Sequence, residues 1–189
     1  MKSGLWDHMS VSIPDAAVSN IVIRRASSSD ADLLSVLGTV TFYEAYFEQD
    51  DPADLANYLV ESFAPAKIRE QLDDGDSTFL IAFLMGRAVG YARLVSGESD
   101  PNIASENAIE LRRIYVLERL WGKGVGEALL SRCETLARKL GKESIWLGVW
   151  QQNVRGLRFY AKHSYTKAGT LTFPYGDSVG INDVLEKKL

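Results

Sequence analysis

Gly122, Gly124 and Gly126, with Lys123 between the first two, stand in residues 110–130, ELRRIYVLERLWGKGVGEALL. The run reads as a strand, a glycine turn and an amphipathic helix. Three positions without side chains let a ligand approach backbone N–H groups and tolerate positive φ. The first turn of a helix adds unpaired donors and a positive field. Together with the Lys123 charge, such a turn suits an anion, and a phosphate-bearing ligand above others. The same glycines can also serve only as a tight structural connection. A P-loop needs GxxxxGK followed by Ser or Thr, which the chain lacks. A dinucleotide fingerprint, GxGxxG, comes early in a βαβ unit, whereas GKGVG closes too soon and sits late.

Other reactive side chains are few. Cys133 is the one cysteine; it falls on the apolar side of the helix and reads as core. His8 and His163 are the two histidines, too few without a cysteine cluster for a structural zinc site, so no metal is expected. The chain has 189 residues, 46% hydrophobic and 24% charged, an ordinary globular composition with enough length for one sizeable core. Its 25 acidic and 21 basic residues leave a net charge of −4, and no basic tract recommends nucleic acid as a partner. No run approaches the ~18 apolar residues of a membrane span, and a cytoplasmic location without a membrane partner is expected. Residues 1–19 read as a leader, and the His8–Met9 junction could mark the end of an added segment. Residues 20–189 read as a single domain, with a homodimer left open.

Several elements must position the glycine turn. Residues 21–26, IVIRRA, read as a strand. Residues 30–47 read as a helix whose apolar side runs through Leu33, Leu37, Val40 and Phe47. Helices follow over 53–62 and, after Pro65, to Leu72. An antiparallel hairpin covers 79–84 and 88–95 around Gly86, and 108–116 is the strand before the glycines. Beyond the turn, Val125, Leu129, Cys133, Leu136 or Ala137, and Leu140 recur at helical spacing and must cover a sheet. The strand at 144–150 completes a right-handed parallel crossover. A helix over 154–162 capped by Asn153, then strands near 165–173 and 181–188, finish an α/β (α+β) mixed sheet with helices.

RIYVLERLWGKGVGEALL resembles the acyl-coenzyme A binding motif of the GNAT N-acetyltransferase superfamily, and NVRGLRFYAKHSY resembles the motif that follows it. The likeness spans 21–189. STFLIAFLMGRAVGYARL and the acidic, aromatic helices before it are similar to the PaiA-type spermidine/spermine acetyltransferases. The resemblance implies a central, mostly antiparallel sheet with one parallel pair forming the cofactor cleft and helices on both faces. It implies acetyl-CoA as cosubstrate, its pyrophosphate on Trp121, Gly122, Lys123, Gly124, Val125 and Gly126, its pantetheine arm along the backbone of Ile114, Tyr115 and Val116. The strand near Ile145 would splay away to leave room. Trp121 stands where Gln or Arg is usual if the motif glycines are Gly124 and Gly126; Arg119 fits if they are Gly122 and Gly124. Gly156 and His163 stand where a small residue and a glycine are usual.

In that family many members hold a tyrosine beside the coenzyme sulfur, and Tyr160 matches it. A phenol with a pKa near ~10 is neutral at physiological pH and can donate a proton; an aromatic wedge is the alternative reading. Glu110 matches the glutamate base of the histone-type branch, although pairing with Arg112, or a water relay, is open. Asn153 either caps its helix or also orients the pantetheine arm, and Arg155 and Arg158 can meet the coenzyme's anionic parts. No covalent nucleophile is required. Tyr43, Glu44, Tyr46, Phe47 and Glu48, with Asp50, Asp51, Asp54 and Tyr58, gather groups that hold ammonium ions. A small primary amine such as spermidine is therefore the expected acceptor, with a protein or peptide amine as the alternative within catalysis. A non-catalytic coenzyme A-binding regulatory or interaction module is the alternative outside it.

Overall fold

The computed structural model describes residues 20–175 and 178–189, so the leader read over 1–19 lies outside the described residues. The strands are β1 (Ile21–Arg25), β2 (Ser77–Leu84), β3 (Arg87–Val95), β4 (Ala108–Val116), β5 (Ser144–Trp150), β6 (Thr166–Tyr175) and β7 (Ser178–Lys188). The helices are α1 (Ala31–Tyr46), α2 (Pro52–Ser62), α3 (Pro65–Asp73), α4 (Val125–Lys139) and α5 (Val154–Lys162). One seven-stranded sheet runs β1-β2-β3-β4-β5-β7-β6. Every neighbour is antiparallel except β4 and β5.

That parallel pair is short. Ala108, Ile109 and Glu110 align with Ser144, Ile145 and Trp146, and the pairing then stops. The cause lies on the other side of β4: Arg93 opposes Arg113 while Leu94 opposes Leu111, which leaves Arg112 as an extra residue. Such a bulge bends its strand and increases the local twist. β4 therefore stays with β3 to Val116 while β5 stays with β7 to Trp150, and a cleft opens between them.

On α4, Val125, Leu129, Cys133 and Ala137 are all buried, as the spacing requires. Leu140 is not part of that face; it is 52% exposed, because the helix stops at Lys139 and Gly141, at φ 71°, turns the chain back toward β5. A larger correction concerns α1. Leu33, Val40 and Phe47 face outward at 38%, 40% and 47% exposure, and of the four expected residues only Leu37 is buried. The buried side instead runs through Leu34, Ser35, Leu37, Gly38, Thr41 and Phe42. Its hydroxyls are satisfied locally, Ser35 donating to the Phe63 carbonyl at 2.5 Å and Thr41 to the Leu37 carbonyl at 2.7 Å. Gly38 is needed there because a Cβ would come within 2.4 Å of the Phe63 ring. The start of α1 is held by Asp30, whose carboxylate takes Arg24 on both oxygens (2.6 and 2.8 Å) and the Ser27 N–H at 2.9 Å.

Candidate active site

The splay encloses a cleft of about 1130 Å³ that reaches from the glycine turn to α1, α2 and the β6–β7 hairpin. At the turn, Gly122 and Gly124 adopt φ 71° and 82°, a conformation that costs residues with a Cβ. A Cβ on Gly122 would meet only open space. The first helical bond of α4 joins Ala128 N–H to the Gly124 carbonyl, leaving the amides of Val125, Gly126 and Glu127 without intrahelical acceptors. Gly122, Gly124 and Gly126 line the cleft. The Val125 side chain is wholly buried in the core, so this residue has only backbone to offer, and the Lys123 side chain is not among the groups lining the cleft.

Trp121 lines the cleft with an assigned task. Its indole N–H donates to the Val116 carbonyl at 2.8 Å, and the Arg155 guanidinium lies 3.0 Å above its ring centroid. Burial lowers the Arg155 pKa, with Glu118 acting in the opposite direction. The position where the motif usually carries Gln or Arg thus presents a cation borrowed from α5.

Hydrogen-bond parity sorts the β4 residues. Leu117 N–H bonds the Val89 carbonyl at 3.0 Å. In the antiparallel register, Tyr91–Tyr115 is therefore another mutually bonded pair, whereas Gly90–Val116 and Ala92–Ile114 are not. Ile114 and Val116 point their N–H and C=O groups away from β3, toward the cleft, although the Val116 carbonyl is already taken by the Trp121 indole. Tyr115 corrects the expectation, since its backbone is spent on β3; it lines the cleft, with its ring 5.6 Å from that of Phe42 and 6.0 Å from that of Tyr91.

Asn153 does cap α5, accepting the Gly156 N–H at 2.8 Å, and lines the cleft. Gly156 is small for a reason: a Cβ there would lie 2.9 Å from Asn153. The residue that ends α5 in left-handed conformation is Ser164, φ 67°, and not His163. The glycine of the family pattern therefore aligns one residue later than the sequence reading placed it, where the chain reverses out of the helix.

Tyr160 lines the cleft and is 8% exposed, its ring packed against Phe159 and Tyr165. Burial, then the nearby Tyr46 hydroxyl, push its pKa well above the ordinary phenol value. Glu110, also lining the cleft, is buried and hydrogen-bonded by Arg112, which also reaches Glu98 at 3.4 Å. The Arg112 pairing left open by the sequence is thus present, at a residue that also lines the cleft. Cys133 is fully buried in the core, its thiol pushed up to about 12 by desolvation. Among the described residues no group of three His, Cys, Asp or Glu side chains could hold a metal ion, and no helix is long and apolar enough to cross a membrane.

The acidic and aromatic cluster divides. Tyr46, Asp50, Asp51, Asp54 and Tyr58 line the cleft; Tyr43, Glu44, Phe47 and Glu48 do not. Glu44 accepts the Glu118 N–H at 2.8 Å, and the Asp51 carboxylate caps α2. Arg113, Phe173 and Asn182 also line the cleft and were not foreseen as site residues. Alternation along β4 would have placed Arg113 on the Tyr115 side, but the hairpin pair needed the fold.

The Acetyltransferase (GNAT) family model matches residues 37–165. The chain belongs to this family. An uncharacterized GNAT relative, an N-acetyltransferase of Mycobacterium tuberculosis, is 34% identical over 148 residues, covering 78% of this chain and 90% of the relative. A second, from Lactobacillus delbrueckii subsp. lactis, is 25% identical over 172 residues, 91% of this chain and 99% of its own. The same fold occurs in the crystal structure of PaiA N-acetyltransferase from Thermoplasma acidophilum in complex with coenzyme A. That likeness has a TM-score of 0.74 at 24% identity, over 90% of this chain and 99% of that one. β4, the glycine turn, α4, β5 and α5 all lie inside the matched residues.

Proposed function

We propose that this chain moves an acetyl group from acetyl-CoA to the primary amine of a small molecule by direct attack within the cleft. The observation that carries the proposal is the splay of β4 from β5, which leads outward-facing strand amides straight into a left-handed glycine turn at a helix start. Those groups suit, in order, an amide-bearing arm and a pyrophosphate. Gly122, Gly124 and Gly126 would hold the phosphates with Arg155 beside them, and Ile114, Val116 and Asn153 the arm. Acetyl-CoA supplies the activated thioester. Tyr160 would protonate the departing sulfur, and Glu110, directly or through water, would accept the proton released by the amine. Holding both reactants in one cleft supplies much of the remaining acceleration.

For the acceptor, the wall of Asp50, Asp51 and Asp54 with Tyr46 and Tyr58 favours an amine with cationic character. The likeness to PaiA is in keeping with a polyamine such as spermidine, and a cytoplasmic setting is in keeping with acetyl-CoA as cosubstrate. The test is release of coenzyme A thiol from acetyl-CoA in the presence of polyamines, amino acids, peptide amines and antibiotic amines, with the acetylated product identified by mass. Turnover confined to small amines is the expected result. Turnover confined to peptides would replace the small-molecule reading. Coenzyme binding without thiol release for any amine would make the chain a binding module.

A further inference from the structure

The cleft contains a guanidinium that lacks an answering anion. Arg113 lies on β4 opposite Arg93, half-buried, and lines the cleft. Its guanidinium rests 4.6 Å above the Phe63 ring, and its Nη1 is enclosed with no hydrogen-bond partner. Among the described residues no carboxylate pairs with it. Glu110 and Glu98 both bind Arg112, Asp74 acts on Arg93, and Arg93 donates through Nε to Ser77 at 2.9 Å. The crowding is felt: burial, then Arg113 and Arg112, bring the Arg93 pKa down to about 10. Close by on β3 the Tyr91 hydroxyl is likewise enclosed and without a partner.

An enclosed guanidinium nitrogen without a hydrogen bond is costly, and such a group normally has a ligand, ion or water to satisfy it. Its planar fork matches a carboxylate. The position matters as well. Arg113 precedes Ile114, whose backbone faces the donor side, so an anion on Arg113 would sit close to the amine that attacks. A polyamine would instead bring more positive charge toward an uncompensated cation.

We infer that the acceptor is a small primary amine that also carries a carboxylate near the reacting nitrogen, in the manner of an amino acid, and that Arg113 seats that carboxylate. The inference rests on the proposed function for where the amine stands. A diamino acid would satisfy both walls of the cleft, with its carboxylate on Arg113 and its second ammonium toward Asp54.

Matched ligands test this on the unmodified protein: ornithine against putrescine, lysine against cadaverine, and methionine against 3-(methylthio)propylamine. Calorimetric binding in the presence of coenzyme A should favour the carboxylated member of at least one pair by roughly 10–100-fold, the range of a charge-assisted contact. Arg113→Met should bring that ratio close to unity, and Arg113→Lys should restore part of it. Equal or tighter binding of the decarboxylated member in all three pairs overturns the inference. So does a ratio that survives in a folded Arg113→Met protein. Carboxylate-dependent binding without thiol release supports the seat and counts against acetyl transfer, so the two failures are distinguishable.

Discussion

Tyr160 and Glu110 carry the proposed chemistry at the scale of single residues. Deleting the Tyr160 hydroxyl removes a proton donor while leaving the ring that fills the space between Phe159 and Tyr165. Tyr160→Phe should therefore keep acetyl-CoA affinity and lose about 10²–10⁴-fold in kcat. Steady-state rates beside calorimetric binding would check it, and an unchanged kcat would remove Tyr160 from the mechanism. The sign of the pH effect follows from burial. The neutral phenol is the working form and is lost as pH rises; its pKa lies above the ordinary value. The donor should stay protonated beyond pH ~10, so any alkaline fall in kcat below that belongs to another group. Glu110→Gln should lower kcat/KM by about 10²–10⁴-fold if the carboxylate accepts the amine proton. An unchanged kcat/KM would assign the base to water. The resemblance of their segments to the GNAT motifs made both residues visible before the fold was known. Arg113 was hidden because an arginine on a strand looks like an ordinary polar position until its surroundings are known.

Among the elements, α1 forms one wall of the cleft, and two positions control its seating. Gly38→Ala would force a methyl group into the Phe63 ring and should cost about 1–3 kcal/mol by overpacking. Gly75→Ala, with nothing within 4 Å, is the control, and thermal melts of the two variants should differ by several degrees. Equal melting temperatures would show that Phe63 moves aside freely. At the other end, Asp30 is held to about 2 by its hydrogen bond from Arg24. A carboxylate depressed in the folded state stabilises above its unfolded pKa, near ~4, and that contribution fades as pH falls to ~2. Because Arg24 is 46% exposed on its side chain, the contribution is discounted to about 1 kcal/mol. Asp30→Asn should thus be destabilising at neutral pH and neutral near pH 2, measured by denaturant midpoints across pH.

Legibility differed between elements for a physical reason. β4, β5 and α5 begin and end where the sequence placed them, because glycines, an asparagine cap and continuous apolar runs punctuate them. In α1 the helix was legible but not its orientation: ADLLSVLGTVTFYEAY is apolar on most sides, so periodicity carries little phase information. Packing chose the face with Gly38, Ser35 and Thr41 because it admits Phe63 and satisfies its own hydroxyls. The outcome leaves Leu33, Val36, Val40, Tyr43 and Phe47 facing outward.

For the whole molecule, the cleft joins two halves that different parts of the chain supply. In the proposed reading β4, the glycine turn, α4 and α5 would form the donor half, and α1, α2 and the β6–β7 hairpin would close the acceptor half. The bulge at Arg112 opens the passage between them. The donor half was legible because backbone geometry needs glycines at fixed places. On the opposite wall the acidic and aromatic residues of α1 and α2 were legible as a cluster, whereas Phe173 and Asn182 were not, because the hairpin that carries them reaches the cleft only through the fold. If both substrates occupy this single cleft and the amine attacks directly, a ternary complex must form before any product leaves. Cys133, buried away from the cleft, offers no covalent detour. The decisive measurement is the initial rate of thiol release with acetyl-CoA and the preferred amine varied together. Direct attack requires double-reciprocal lines that intersect; parallel lines, the mark of an acetylated enzyme and a ping-pong cycle, would contradict it.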